Sequence, residues 1–337
     1  MSAQVYVGAD IAAEQITIDW LDTQTQTGEQ LSLEQSERDY ARLLKRLTRQ
    51  AQPAAIHVVM EATGNYWMAF ASFLHAAGLI VSVLNPSQAR HFAQARLQRA
   101  KTDPVDAALL RDYGRLLQPD PWVPPPPICQ QLQQLLNRRE DLLQIRTAER
   151  NRLHALHHHP LADPVLRRQL QHHIAYLSRQ IDALKRAIQQ LLFSDHDWAE
   201  AVKHLRTLKG LGDLTIARIL TATHAFARCA SPDEAASFAG LAPHPRDSGQ
   251  HKGKRSVGGG GHAPLRQSLY MAALSASRFN PVLKVFYSRL LQRGKLKPVA
   301  LCAVARKLLH IAWALVVKHC DFDPDFYFKS LEAQLPT

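Results

Sequence analysis

The first part of the chain alternates short apolar runs with turns and amphipathic stretches. Val5–Ala9 is a β-rich run ending at Asp10, and Ile16–Leu21 alternates with period two, so both are expected strands. A third short strand is expected near Glu29–Leu33. Ser36-Glu37-Arg38-Asp39 has the form of a capping box and opens a helix to about Gln50. Ile56–Met60 is a strand ending at Glu61, Asn65–Ala77 a helix stopped by Gly78, and Ile80–Leu84 another buried strand. Helical segments follow, giving the order β-β-β-α-β-α-β-α.

A three-stranded meander followed by alternating βα units is the layout of the ribonuclease H-like α/β fold. Residues 118–127 are proline-rich and stiff, which marks a boundary. Beyond it, Leu166, Leu170, Ile174, Leu177, Ile181, Leu184, Ile188 and Leu191 follow steps close to a heptad seam. Leu132, Leu135, Leu142 and Ile145 repeat on an earlier arm, and Pro160 and Pro164 interrupt the run between them. An antiparallel coiled-coil hairpin is expected, serving dimerisation or acting as an internal spacer. From about Asp197 the chain reads as mostly helical, with a Gly-, Lys- and His-rich insert at Gly240–Pro264. The expected parts are thus an α/β domain at 1–117, a linker at 118–128, the hairpin at 129–195 and a mainly α domain at 196–337.

Charge sharpens this division. Residues 244–319 hold fourteen Lys or Arg and one acidic residue, Asp247, while the rest of the chain holds 27 basic and 28 acidic residues. All of the net charge of +12 therefore belongs to one C-terminal stretch, the footprint of a polyanionic partner. The four cysteines form no C-x-x-C pair, which argues against zinc-knuckle spacing and a disulfide framework. No signal peptide is recognised. The most apolar stretch, Val299–Val317, is interrupted by Arg306, Lys307 and His310, so no membrane span is expected and a cytoplasmic protein is.

Four acidic residues carry the candidate chemistry. Asp10 and Glu61 end two expected core strands, where ligands bind in open α/β sheets. Asp103 and Asp106 open a helix and share one face at i, i+3. Read alone, that pair is equally a cap with Pro104 at the first helical position. Together the four carboxylates offer oxygen ligands for two Mg²⁺ ions. Ser248 is the candidate nucleophile, flanked by Arg246, Lys252, Lys254 and Arg255, with Ser256 as its local competitor. Those four basic residues and Arg266 are the expected nucleic-acid contacts. Gly258–Gly261 lacks the phosphate-loop pattern, and Leu208–Ala217 reads either as a phosphate-binding helix-hairpin-helix or as a plain helical corner. His157–His159 and His172–His173 read as solvated rather than as a metal site.

Gly8-Ala9-Asp10-Ile11-Ala12, Met60-Glu61-Ala62-Thr63-Gly64, Asn85-Pro86, Lys101-Thr102-Asp103-Pro104-Val105-Asp106-Ala107, Gly240-Leu241-Ala242-Pro243, Ser248-Gly249 and Leu265–Ala273 occur in this order. In these segments the chain resembles the DEDD transposases of the insertion sequence 110 family, from about residue 5 to residue 317. The resemblance implies a RuvC-like domain, a coiled-coil arm and a C-terminal transposase domain. It implies that Asp10, Glu61, Asp103 and Asp106 bind metal and that Ser248 forms a covalent 5′-phosphoserine link to DNA. It further implies a bridge RNA that pairs with double-stranded target and donor DNA, nucleoid association, and assembly from homodimers into a homotetramer that shares active sites between protomers. The stretch Ser256–His262 is more glycine-rich than in many relatives. A hydrolytic junction nuclease and a non-catalytic nucleic-acid-binding protein are the competing readings.

Overall fold

The computed structural model describes residues 5–21, 27–97, 102–244, 247–248, 251–252, 256–257 and 260–326. The chain forms two compact units, Met1–Pro124 and Pro125–Thr337.

In the first unit, β1 (Val5–Ile11), β2 (Gln15–Leu21) and β3 (Gly28–Glu34) form an antiparallel meander. α1 (Glu37–Leu47) follows, with Ser36 at its N-cap accepting from the Asp39 amide. A short 3₁₀ turn leads into β4 (Ile56–Glu61), then α2 (Trp67–Ala76), β5 (Ile80–Leu84), α3 (Pro86–Ala95) and α4 (Asp103–Leu117). β4 runs parallel to β1 and β5 parallel to β4, so the sheet order is β3-β2-β1-β4-β5. Alternation along the strands divides the sheet into two faces. Val5, Val7, Ala9, Ile16, Ile18, Trp20, Val58 and Met60 pack with Tyr40, Leu43, Phe70 and Leu74. On the opposite face Val59 and Leu84 meet Leu110 and Tyr113 of α4.

The proline-rich stretch is not simply a spacer. The Trp122 amide donates to the Val81 carbonyl of edge strand β5 at 2.6 Å. Its indole packs edge-on against Trp67 and His75. Ser82 Oγ reaches the Pro119 and Asp120 carbonyls at 3.0 and 2.8 Å. Buried His57 stands 2.8 Å from the same oxygen through Nε2. With the Ser82 proton directed at the carbonyls, Nε2 carries the hydrogen, and burial holds the His57 pKa below its ordinary value.

In the second unit, two long helices, α5 (Pro127–His157) and α6 (Pro164–Leu192), pack on one another. Leu142, Leu177 and Ile181 form a small cluster partway along them. Their roots lie elsewhere: Cys129, Leu132, Leu136, Ile188 and Leu192 belong to the same core as the helices that follow. These are α7 (His196–Thr207), α8 (Asp213–Thr223), α9 (Pro232–Phe238), α10 (Ala263–Phe279), α11 (Pro281–Gln292) and α12 (Lys297–Val317). Hairpin and bundle thus share one core within the second compact unit. On the first arm Leu136 is buried where Leu135 was expected, and Ile145 is 40% exposed. α12 is long and apolar enough to cross a membrane, yet more than half of its apolar window is buried, with Leu301, Val304, Leu308, Ile311 and Leu315 in the core. Four two-residue strands lie between α9 and α10: β6 (Pro243–His244), β7 (Asp247–Ser248), β8 (His251–Lys252) and β9 (Ser256–Val257).

Candidate active site

The register of the parallel pair β1/β4 sets Ala9 opposite Met60, and Asp10 and Glu61 come next on their strands. Their carboxylates therefore stand side by side at the same end of the sheet. α4 completes the set, and Gly8 decides how. A Cβ on Gly8 would lie 1.8 Å from the Ala107 carbonyl oxygen and 2.5 Å from the Arg111 nitrogen, so the backbone of α4 rests on the strand at this point. Gly114 permits the same intimacy one layer on, where a Cβ would lie 2.7 Å from Val59 Cγ2. A glycine within a strand is the usual mark of close backbone approach.

Polar contacts fix the same helix. Arg111 Nη1 pairs with Asp19 of β2, a carboxylate only 4% exposed. Gln30 Nε2 donates to the other Asp19 oxygen at 2.9 Å. Arg111 Nη2 also reaches Asp112 at 2.9 Å, and Asp112 accepts from Arg96 Nη2 at 3.0 Å.

So placed, the first turn of α4 brings Asp103 and Asp106 to Asp10. Thr102 occupies the N-cap position with no side-chain cap bond. The acidic pair lies where the helix dipole favours negative charge. Asp10 senses the convergence. Its pKa is pushed up to about 6, first by burial and then by the charges of Asp103, Asp106 and Glu61. Four carboxylates crowded together, one of them half-protonated near pH 6, form an oxygen-only donor set whose repulsion a divalent cation relieves. The residues present therefore fit Mg²⁺.

Ser248 lies in a different setting. β6 pairs with β9 and β7 with β8, both antiparallel, making two short nested ladders in the insert. Ser248 faces His251 in the inner ladder, while Ser256 faces His244 in the outer one. Arg246, Lys254 and Arg255 lie outside the described residues, and of Lys252 only the backbone is described. The neck of the insert is closed tightly. A Cβ on Gly261 would lie 2.5 Å from the Gly240 nitrogen. The His262 amide donates to the Phe238 carbonyl at 2.8 Å, and Arg266 Nη1 donates to Gly260 O at 2.7 Å and Ala239 O at 3.3 Å. Arg266 thus ties the two ends of the insert together.

The stretch 208–217 is a helical corner. Gly210 packs on α10, where a Cβ would lie 2.8 Å from Ala276 Cα. The N-terminus of α8 is occupied by Asp213, held bidentately by Arg206 at 2.9 Å.

Residues 7–158 match the family model of DEDD transposases of the IS110 type, and residues 202–288 match the transposase model of the IS116/IS110/IS902 family. A pilin gene-inverting protein of Moraxella bovis is 32% identical over 274 residues, covering 80% of this chain and 83% of the relative. Its counterpart in Moraxella lacunata is equally similar over the same span. The chain belongs to the IS110 family of transposases. An uncharacterized 42 kDa protein of insertion element IS900 from Mycobacterium paratuberculosis is 34% identical over 133 residues, covering 39% of this chain and 33% of the relative. Within this IS110-family transposase, the first matched region contains Asp10, Glu61, Asp103 and Asp106, and the second contains Ser248 and Arg266. Membership makes the chain a DNA recombinase that acts on DNA. Acidic and nucleophilic residue types do not reveal the scaffold of this transposase: Gly8, Gly114, Asp19 and Arg111 carry no chemistry, yet they bring α4 to the sheet. Gly8, two residues before Asp10 in a strand, was the available signal.

Proposed function

We propose that the chain is an RNA-guided recombinase that exchanges strands between donor and target DNA, with a ribonuclease H (RuvC)-like first unit and a serine nucleophile in the second. One observation carries the metal part: Asp10 and Glu61 end adjacent parallel strands in register, and burial together with the charges of Asp103, Asp106 and Glu61 raises the Asp10 pKa. These four carboxylates would hold two Mg²⁺ ions, which would supply positive charge to stabilise phosphodiester exchange. Asp10 and Glu61 fix one side of that set from the sheet, and Asp103 and Asp106 supply the other from the helix end.

Ser248 is the proposed nucleophile. Its hydroxyl gives up its proton as Oγ bonds to phosphorus, the P–O3′ bond breaks, and the freed 3′ oxygen takes a proton. The 5′-phosphoserine so formed conserves the bond energy for rejoining to another strand. Arg246, Lys252, Lys254 and Arg255, in the basic stretch, would hold the phosphates. The sequence of the sites would be read by a bridge RNA through base pairing rather than by the protein. The helical hairpin would act as a coiled-coil arm in a homotetramer. The pilin gene-inverting names of two relatives favour reciprocal exchange between two sites over simple hydrolysis.

The test is to express the chain with its complete native element, supply donor and target plasmids, and resolve the products under denaturing conditions. The expected result is recombinant product with a protein–DNA adduct that disappears in Ser248→Ala and persists in Ser256→Ala, together with one discrete co-purifying RNA. Cleavage without an adduct, unaffected by Ser248→Ala, would instead identify a hydrolytic junction nuclease. Exchange retained in Asp10→Asn would remove the metal reading.

A further inference from the structure

The second unit holds a group of metal-type ligands outside all of this chemistry. Glu200 and His204 stand one turn apart on α7, and His319 follows the end of α12. One ligand atom from each lies within 4.8 Å of the other two. His319 Nδ1 is 3.9 Å from Glu200 Oε2. His204 is already oriented: its Nδ1 lies 2.7 Å from the Asp321 carboxylate, and its buried Nε2 has no hydrogen-bond partner among the described residues. An imidazole that gives its Nδ1 hydrogen to a carboxylate presents a basic Nε2 lone pair, the arrangement found behind metal-ligating histidines.

The backbone around His319 shows how the third ligand is delivered. α12 ends in a Schellman motif, with Cys320 N bonded to Leu315 O at 3.1 Å and His319 N to Val316 O at 3.4 Å. His319 has φ 48° at the position where glycine is normally preferred. The chain then turns back along α7, and the Phe322 amide donates to Thr207 Oγ1 at 2.8 Å. Positions 200, 204 and 207 share one face of α7, and positions 319, 321 and 322 lie against it in the same order.

We propose that Glu200, His204 and His319 bind a divalent transition metal of the zinc type, with Asp321 as a positioning residue, clasping the segment after α12 onto α7. Two imidazole nitrogens and one carboxylate oxygen suit tetrahedral zinc, with water as the fourth ligand. They do not suit Mg²⁺, which keeps to oxygen donors in an octahedron. Ligand atoms around zinc lie roughly 3.4 Å apart, given metal–ligand bonds of about 2.0–2.1 Å. The separation of 3.9 Å between His319 and Glu200 needs only a small closure, and both side chains are exposed enough to make it.

The test uses the full chain, stripped by chelator and titrated with Zn²⁺ and separately with Co²⁺, read by calorimetry, thermal melting and the visible absorption of Co²⁺. Zinc should bind at one site that raises Tm, and Co²⁺ there should give tetrahedral absorption bands. His204→Gln should abolish both signals. Asp321→Asn should weaken affinity by about 10- to 100-fold, because it removes the partner of the ligating ring. His319→Gly separates ligand loss from misfolding: glycine suits the backbone, so the metal-free protein should melt no lower than wild type while the zinc-dependent rise disappears. Asp10→Asn, and replacement of His157, His158 and His159 by Gln, should leave the site intact. The proposal fails if wild type takes up no zinc, if His204→Gln and His319→Gly keep the spectrum and the Tm rise, or if both signals are lost with the His157–His159 run instead.

Discussion

Gly8 and Ala107 meet so closely that no other residue fits at the strand position: a Cβ on Gly8 would lie 1.8 Å from the Ala107 carbonyl oxygen. That contact seats the N-terminal half of α4 on β1, and the seat decides where Asp103 and Asp106 stand. Gly8→Ala should therefore act on the carboxylate site without touching a carboxylate. Overpacking of this kind costs about 1–3 kcal/mol. Urea unfolding should register that loss, and strand exchange should fall with it. Full activity at wild-type stability would mean that α4 does not need this seat.

The pair Arg111–Asp19 secures the same helix by charge. Removing one partner of a buried pair leaves the other stranded, at about 3–5 kcal/mol, whereas replacing both with apolar residues is often tolerated. Arg111→Met should be strongly destabilising, and Arg111→Met with Asp19→Leu should recover much of the loss. Chemical denaturation of the two single variants and the double variant measures this coupling. Additive effects would show the pair to be dispensable.

Asp10 links the site to pH. Its folded-state pKa is raised from 3.8 to about 6, so ionising it works against the metal-free fold. Its contribution is neutral below about 3.8, grows unfavourable as pH rises from there to about 6, and is constant above. In chelator, Asp10→Asn should melt higher than wild type at pH 8 and match it near pH 3.8, with the gap opening between those values. Melting curves across that range check it. A gap of constant size would mean that folding leaves the Asp10 pKa unshifted.

Arg266 donates through Nη1 to both ends of the insert, which assigns it to the neck of that segment. Arg266→Gln should lower strand exchange while leaving the salt dependence of DNA affinity at its wild-type slope. A phosphate contact would instead reduce that slope by roughly one unit. Binding isotherms at several salt concentrations separate the two roles.

Much of the first unit was legible because burial leaves a period in the sequence. Val5, Val7 and Ala9 alternate onto one face, Ser36 announces α1, and Gly78 stops the chain after α2. The strand-end positions of Asp10 and Glu61 followed from these runs. What could not be read is what has no period. The ladders around Ser248 are two residues long, too short to alternate. Trp122 looked like part of a rigid spacer because its partners, Trp67 and His75, are far away in sequence. The heptad pattern pointed to the pairing of α5 and α6, but not to Leu132 and Ile188 of that seam joining the core of the bundle together with Leu136 and Leu192. Periodicity names an apolar face without naming what covers it.

The closed neck at Gly240 and Gly261 makes the Ser248 segment a noose: the chain leaves the helical bundle and re-enters it at nearly one point. Leu241, just inside the neck, still belongs to the core of the bundle; the Ser248 turn lies beyond it. The bundle therefore sets where the Ser248 segment departs and returns, through contacts that lie at its neck and not at its tip.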